Sequence, residues 1–176
     1  MKLSFFSLIA SFFLLTSCAT VSVCTDYDTK ADFTNYKSFA FFKPSVDQLE
    51  MNDLDKKRIL RAVEAAMLSK GFVKSETPDL LVGLDSQAET SVYAYTGYYG
   101  YNYGWGWSPF AGRGGYVNTY ETVDGTLYID FIDAKKKELI WQGIGQAALV
   151  QGPEAKEERI NEIVTSVLAK YPPKSK

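Results

Sequence analysis

Histidine does not occur anywhere in the 176-residue chain. Its absence excludes serine or cysteine nucleophiles activated by imidazole and zinc held by it. There are only two cysteines, Cys18 and Cys24, so no disulfide framework can be built within one chain once either is committed elsewhere. Charge of one sign is also lacking: 19 basic residues face 21 acidic ones. No basic patch or RNA-binding signature appears, which argues against nucleic acid as a partner. Lys135-Lys136-Lys137 is a run of three and reads as a solvated turn.

The one long apolar run is N-terminal. Met1-Lys2 is followed by apolar residues from Leu3 to Leu15, broken only by serines, and then by Thr16-Ser17-Cys18. A crossing helix needs about 20 apolar residues, and this run is shorter. Its apolar residues point all round a helix, which does not suit a surface element with one polar face. One positive charge, an apolar stretch and small residues at the end are the layout of a secretory signal. Leu15-Thr16-Ser17-Cys18 resembles a bacterial lipobox, in which the cysteine thiol receives lipid and becomes the new N-terminus. The expectation is a signal peptide over residues 1–17, lipidation of Cys18 and attachment to a membrane through that lipid. One acyl chain holds only marginally, whereas two or three would be effectively permanent. Ala19 follows the cysteine where an inner-membrane retention signal would have aspartate, which favours the outer membrane, facing the periplasm. Residues 18–25 then form the lipidated N-terminus and a short tether, and residues 26–173 a single domain. Cys24 is left as a free thiol or an intermolecular partner.

Beyond the tether the sequence alternates between strand-like and helix-like patterns. Residues 19–27 suggest a first strand, and Asp26-Tyr27-Asp28 opens a turn-rich stretch through Asn35. Tyr36 to Phe42 reads as an aromatic strand ended by Pro44. Asn52 or Asp53 caps a helix whose apolar face is Ile59, Leu60, Val63, Ala66 and Met67, and Lys70-Gly71 ends it. Phe72 and Val73 are extended, and Leu80 to Leu84 is apolar on both faces, as in a central strand. Tyr116 to Val123 reads as a strand, Asp124-Gly125 as a hairpin turn, and Thr126 to Asp133 as an alternating strand. After a polar turn from Ala134 to Glu138, a strand runs from Leu139 to about Val150. Gly152-Pro153 opens a last helix with an Ile160, Ile163, Val164, Val167, Leu168 stripe, stopped at Tyr171-Pro172-Pro173. The expected fold is α+β: an antiparallel or mixed β-sheet with two helices packed on one face, plus an aromatic, glycine-rich loop insertion.

That insertion runs from Tyr93 to Tyr116. Nine aromatics lie between Tyr93 and Phe110, interleaved with glycine, and Arg113 is the tract's one charge. Glycine disfavours strand pairing, and so many phenols disfavour a core. Residues 93–115 can be a plain connecting loop or a contact surface for an envelope protein or lipid headgroups. They can also form a glycan-binding surface with aromatic rings stacked on sugars. The candidate binding residues are Tyr98, Tyr99, Tyr101, Tyr103, Trp105 and Trp107, the two tryptophans being the natural platforms.

An enzyme is not expected. Paired carboxylates could still act without histidine, with Asp26, Asp28, Asp32, Asp85, Glu121, Asp130 and Asp133 as candidates. Carboxylates at turns and strand ends are commonly structural. The Asp26, Asp28, Asp32 spacing hints at calcium, but the twelve-residue loop fails: its glycine is missing and Lys37 stands where the closing glutamate belongs. Gly112-Arg113-Gly114-Gly115 lacks the lysine and the strand-to-helix setting of a phosphate loop. No metal and no cofactor is expected.

Several ordered motifs together resemble a bacterial lipoprotein family known only as a domain of unknown function, DUF4136. They are Asp26-Tyr27-Asp28 with Ala31-Asp32-Phe33-Thr34-Asn35-Tyr36-Lys37-Ser38-Phe39-Ala40-Phe41, then Lys70-Gly71-Phe72, Pro78-Asp79-Leu80-Leu81-Val82 and Gly125-Thr126-Leu127-Tyr128-Ile129-Asp130. Leu139-Ile140-Trp141-Gln142-Gly143 and the closing Tyr171-Pro172-Pro173 complete them. Lys136-Lys137 departs from the usual Thr-Gly turn, and Phe41 from a common tryptophan. The resemblance implies an envelope lipoprotein with no known catalysis.

Overall fold

Six strands form one mixed, open sheet in the order β1-β6-β5-β4-β2-β3. They are β1 (Ser22–Tyr27), β2 (Ser38–Phe41), β3 (Val73–Lys74), β4 (Leu80–Gly97), β5 (Tyr116–Asp133) and β6 (Leu139–Ala148). The helices are α1 (Lys43–Gln48), α2 (Asp53–Ser69) and α3 (Pro153–Leu168). The computed structural model describes residues 21–97 and 116–173, with residues 90–97 and 116–122 described in backbone alone. β2 runs parallel to β3 and β4, and every other pairing is antiparallel. The α+β expectation holds, with the two long helices on one face.

Local chemistry sets the helix ends. Asn52, not Asp53, is the N-cap of α2: its side chain accepts from Asp55 N–H at 2.9 Å. Gly71, at φ 86°, takes the left-handed turn beyond the helix. Gly152 at φ 89° precedes α3, and Pro153 occupies its first turn.

Core residues follow the expected stripes. Ile59, Ala62, Val63 and Met67 of α2 and Ile163, Val164, Val167 and Leu168 of α3 are buried. They meet Leu80, Val82 and Leu84 of β4, Leu127, Ile129 and Phe131 of β5, and Trp141 of β6 in one cluster. α3 sits against glycines of β6. A Cβ at Gly145 would lie 2.7 Å from both Ile163 and Val167, and one at Gly143 would collide with Val167 and Trp141. Only a bare strand surface lets the helix come that close.

Three expectations need correction, and that for Pro44 is extended. Residues 22–25, also counted in the tether, belong to the first strand expected over residues 19–27 and pair with Gln146 to Gly143 of β6, while Val21 packs against the core. Pro44 does end β2, but it also lies in the first turn of α1, where its fixed φ and missing N–H are tolerated. Asp124-Gly125 is no turn: Asp124 pairs with Glu89 and Gly125 with Ala88, inside a continuous β4–β5 ladder. Gly125 serves close approach, since a Cβ there would meet Leu149 Cδ2 at 2.5 Å. Finally, Tyr93 to Gly97 are strand, paired with Tyr120 to Tyr116, rather than loop.

The β5–β6 turn holds one strained residue. Lys137 has φ 63°, in the region where L side chains are disfavoured by about 1–2 kcal/mol. Lys137→Gly relieves this at some entropic cost, so the variant should be about 0.5–1 kcal/mol more stable. Equilibrium denaturation checks it, and an unchanged or lowered midpoint would refute the strain.

Candidate functional site

The β4–β5 ladder gives the molecule its most distinctive feature. β6 follows β5 as far as the Asp124–Ala148 pair, and β2 follows β4 only to Val82. From Thr90–Val123 to Gly97–Tyr116 the ladder continues as eight pairs of a two-stranded arm. At about 3.4 Å per residue it projects roughly 25 Å beyond the sheet. Residues 98–115 join its two strands. All six aromatic candidates, Tyr98, Tyr99, Tyr101, Tyr103, Trp105 and Trp107, lie outside the described residues, as does Cys18.

A cleft of about 720 Å³ opens where the arm leaves the body, between the N-terminal ends of α2 and α3. Met51, Ile59, Leu127, Leu149 and Ile160 give it an apolar wall. On its rim Asp55 takes Lys156 Nζ at 2.9 Å and Arg58 Nη1 at 2.6 Å, and Arg159 bonds Glu162 at 3.1 Å, whereas Glu50 and Glu89 make no ion pair among the described residues. Burial alone would raise the Asp55 carboxyl, but the bonds from Lys156, Asn52 and Arg58 hold it below the ordinary range. Asp55 therefore ties the two helices together as an anion. This cleft could not be read from the sequence, because Met51 and Leu149 belong to neither helix stripe.

At the opposite end a second cleft, about 820 Å³, is lined by Tyr27, Phe33, Tyr36, Lys70, Phe72 and Tyr171. Tyr171 is buried, its ring edge-on to Phe33, Phe131 and Trp141. Its hydroxyl has no partner among the described residues, and burial pushes its ionisation up. The Tyr36 hydroxyl donates to Asp133 Oδ2 at 2.9 Å, and burial followed by that bond moves the phenol up to about 12.

The carboxylate candidates divide by role. Asp133 Oδ1 accepts from Lys135 N and Lys136 N at 2.8 Å each, pinning the β5–β6 turn. Asp32 caps the short 3-10 turn at Phe33–Asn35 through Thr34 N. Asp26 and Asp28 bond nearby backbone N–H groups. Only backbone is described at Glu121. Asp85 and Asp130 share the sheet face opposite the helices. Burial raises the Asp130 carboxyl, a bond from Gln142 lowers it, and Asp85 raises it further. Neither lines the two clefts described above. Cys24 is exposed on β1, opposite Ile144.

Asp133 makes a pH prediction. The backbone bond from Lys136, then those from Tyr36 and Lys135, outweigh burial and depress its folded-state pKa. The stabilisation is complete above the unfolded value, about 4, and is lost as pH falls through the folded one. Asp133→Asn should cost about 1–2 kcal/mol at pH 7 and flatten the loss of stability below about pH 4. Urea midpoints across pH 2–7 check this, and a variant with the wild-type acid slope would refute it.

No curated protein matches the chain. Among solved structures, a PDZ domain protein from Parabacteroides distasonis is similar over 97% of this chain and 41% of its own, with 17% identity and a TM-score of 0.54. This chain thus spans about two-fifths of that protein's length, and the likeness concerns fold alone. A PelC dodecamer from Paraburkholderia phytofirmans is 10% identical over 85% of this chain and 96% of its own, at a TM-score of 0.47. A putative neuraminyllactose-binding hemagglutinin homolog from Helicobacter pylori is 14% identical over 82% and 86%, at 0.42. A family model matches residues 23–173, nearly all of the folded body, and the chain belongs to the family described as a domain of unknown function, DUF4136.

Proposed function

We propose that this chain is an exported lipoprotein of the cell envelope, held at a membrane by acyl chains on Cys18. Its domain acts as a non-enzymatic interaction or structural module. The observation that carries the reading is the lipobox-like Leu15-Thr16-Ser17-Cys18 at the end of a signal-like run, with three residues between Cys18 and the start of the sheet at Ser22. No described helix is long and apolar enough to cross a membrane. The membrane is the outer one, with the domain in the periplasm, following from Ala19 after the cysteine.

Cys18→Ser should move the protein from the membrane fraction to the soluble envelope fraction. Sedimentation with membranes at high salt would contradict the anchor. The part of the aromatic tract between the two strands, residues 98–115, is the contact surface for an envelope partner. Because Tyr93–Gly97 and Tyr116–Tyr120 are paired strand, the clean test replaces residues 98–115 with a two-residue Asn-Gly turn. Loss of in-cell protein crosslinks supports a protein partner, loss of retention on peptidoglycan supports a glycan, and loss of neither removes the tract from function.

A further inference from the structure

Resting on acylation of Cys18, we infer that the β4–β5 arm lies flat along the lipid headgroups of the anchoring membrane. The face that meets them carries Tyr93, Tyr95, Tyr116 and Tyr120.

Three placements lead there. First, the anchor and the arm leave the body at the same end. Ser22 pairs with Gln146, Gln146 with Thr126, and Thr126 with Gln87, so the first residue of β1 is level with the base of the arm. β1 then runs away from that end, to Tyr27 beside Trp141.

Second, the lengths do not permit an upright arm. From Cys18 to Ser22 the chain reaches at most about 14 Å. From the Gln87 row to the Gly97 row the arm advances about 30 Å in the same direction. Standing upright, its end would pass the polar layer, only about 5–8 Å thick on each side, and enter hydrocarbon. A two-stranded ribbon has unpaired N–H and C=O groups along both outer edges, and these have no partner there. The arm must lie down, where water and headgroups satisfy its edges.

Third, the two faces of the ribbon differ. The register pairs Tyr93 with Tyr120, Tyr95 with Asn118 and Gly97 with Tyr116. Strand alternation places these with Ser91 and Thr122 on one face, which has four tyrosines and no charge. The other face has Thr90, Val92, Ala94, Thr96, Val117, Thr119, Glu121 and Val123. It continues the side on which the helices pack, and it carries a glutamate. Tyrosine is amphipathic and collects at membrane–water interfaces.

The test uses the full lipoprotein, purified from cells and reconstituted into phosphatidylethanolamine–phosphatidylglycerol vesicles. In a Cys24→Ser background, Asn118→Cys, Thr119→Cys and Lys136→Cys are each labelled with a small fluorophore. A fraction of the lipid then carries a nitroxide headgroup. Emission at 118 should fall sharply, that at 119 much less, and that at 136, on the far turn, should not change. Equal quenching at 118 and 119, or none at either, overturns the orientation. Protection from aqueous iodide without nitroxide quenching, the mark of a second protein copy on the face, overturns it too. Intact mass separates the two levels of failure. An unmodified Cys18 removes the anchor and the inference together, whereas an acylated Cys18 with an unquenched arm removes the inference alone.

Discussion

Gly143→Val should destabilise the domain by about 3 kcal/mol or more, the upper range for forcing atoms into a packed core. Gly143 is buried in β6, and even one methyl there collides with Val167 of α3 and with the Trp141 ring. Both neighbours are fully buried and have nowhere to go. Small domains are stable by about 5–15 kcal/mol, so the loss is a large share of the total. A drop in Tm of about 10 °C is expected at this size. Gln146→Val is the control: it puts the same side chain at an exposed position of the same strand, where the effect should stay within about 0.5 kcal/mol. Equal effects at the two positions would show that close approach of α3 is not what glycine provides.

Phe131→Ala should cost about 3–5 kcal/mol, the usual range for emptying a buried phenylalanine site. Phe131 is 0% exposed, with ring centroids 4.9 Å from Trp141 and 4.7 Å from Tyr171. It joins the centre of the sheet to the residues that follow α3, so the near-ultraviolet signal of Trp141 should weaken with stability. Retained ring signals and a loss below about 1.5 kcal/mol would mean that the cluster repacks around the gap.

Much of this architecture was readable because its signals are local. The stripe of α3 needs only 3.6-residue spacing, and Asn52 and Gly71 mark the ends of α2 by their own backbone chemistry. Three readings turn on a residue type with two physical uses. Gly125 looks like a turn former because glycine tolerates positive φ, yet here it makes room for Leu149, twenty-four positions later. Pro44 stops a strand and starts a helix for the same missing N–H. Tyr93–Gly97 looked like loop because glycine and crowded phenols argue against a core, but a projecting arm needs no core around it. For the candidate site, sequence pointed to chemistry and could not supply position. That Ser22 stands level with the base of the arm depends on β1 pairing with β6, a contact more than a hundred residues apart in the chain.

The β1–β6 ladder also has a mechanical meaning. A pull on Ser22 directed along β1 loads the backbone bonds between Ser22–Tyr27 and Trp141–Gln146 in shear, all together. Loaded across the ladder they would open singly, like a zipper. A load along that axis therefore meets simultaneous rupture, and not stepwise peeling, as the condition for tearing β1 loose.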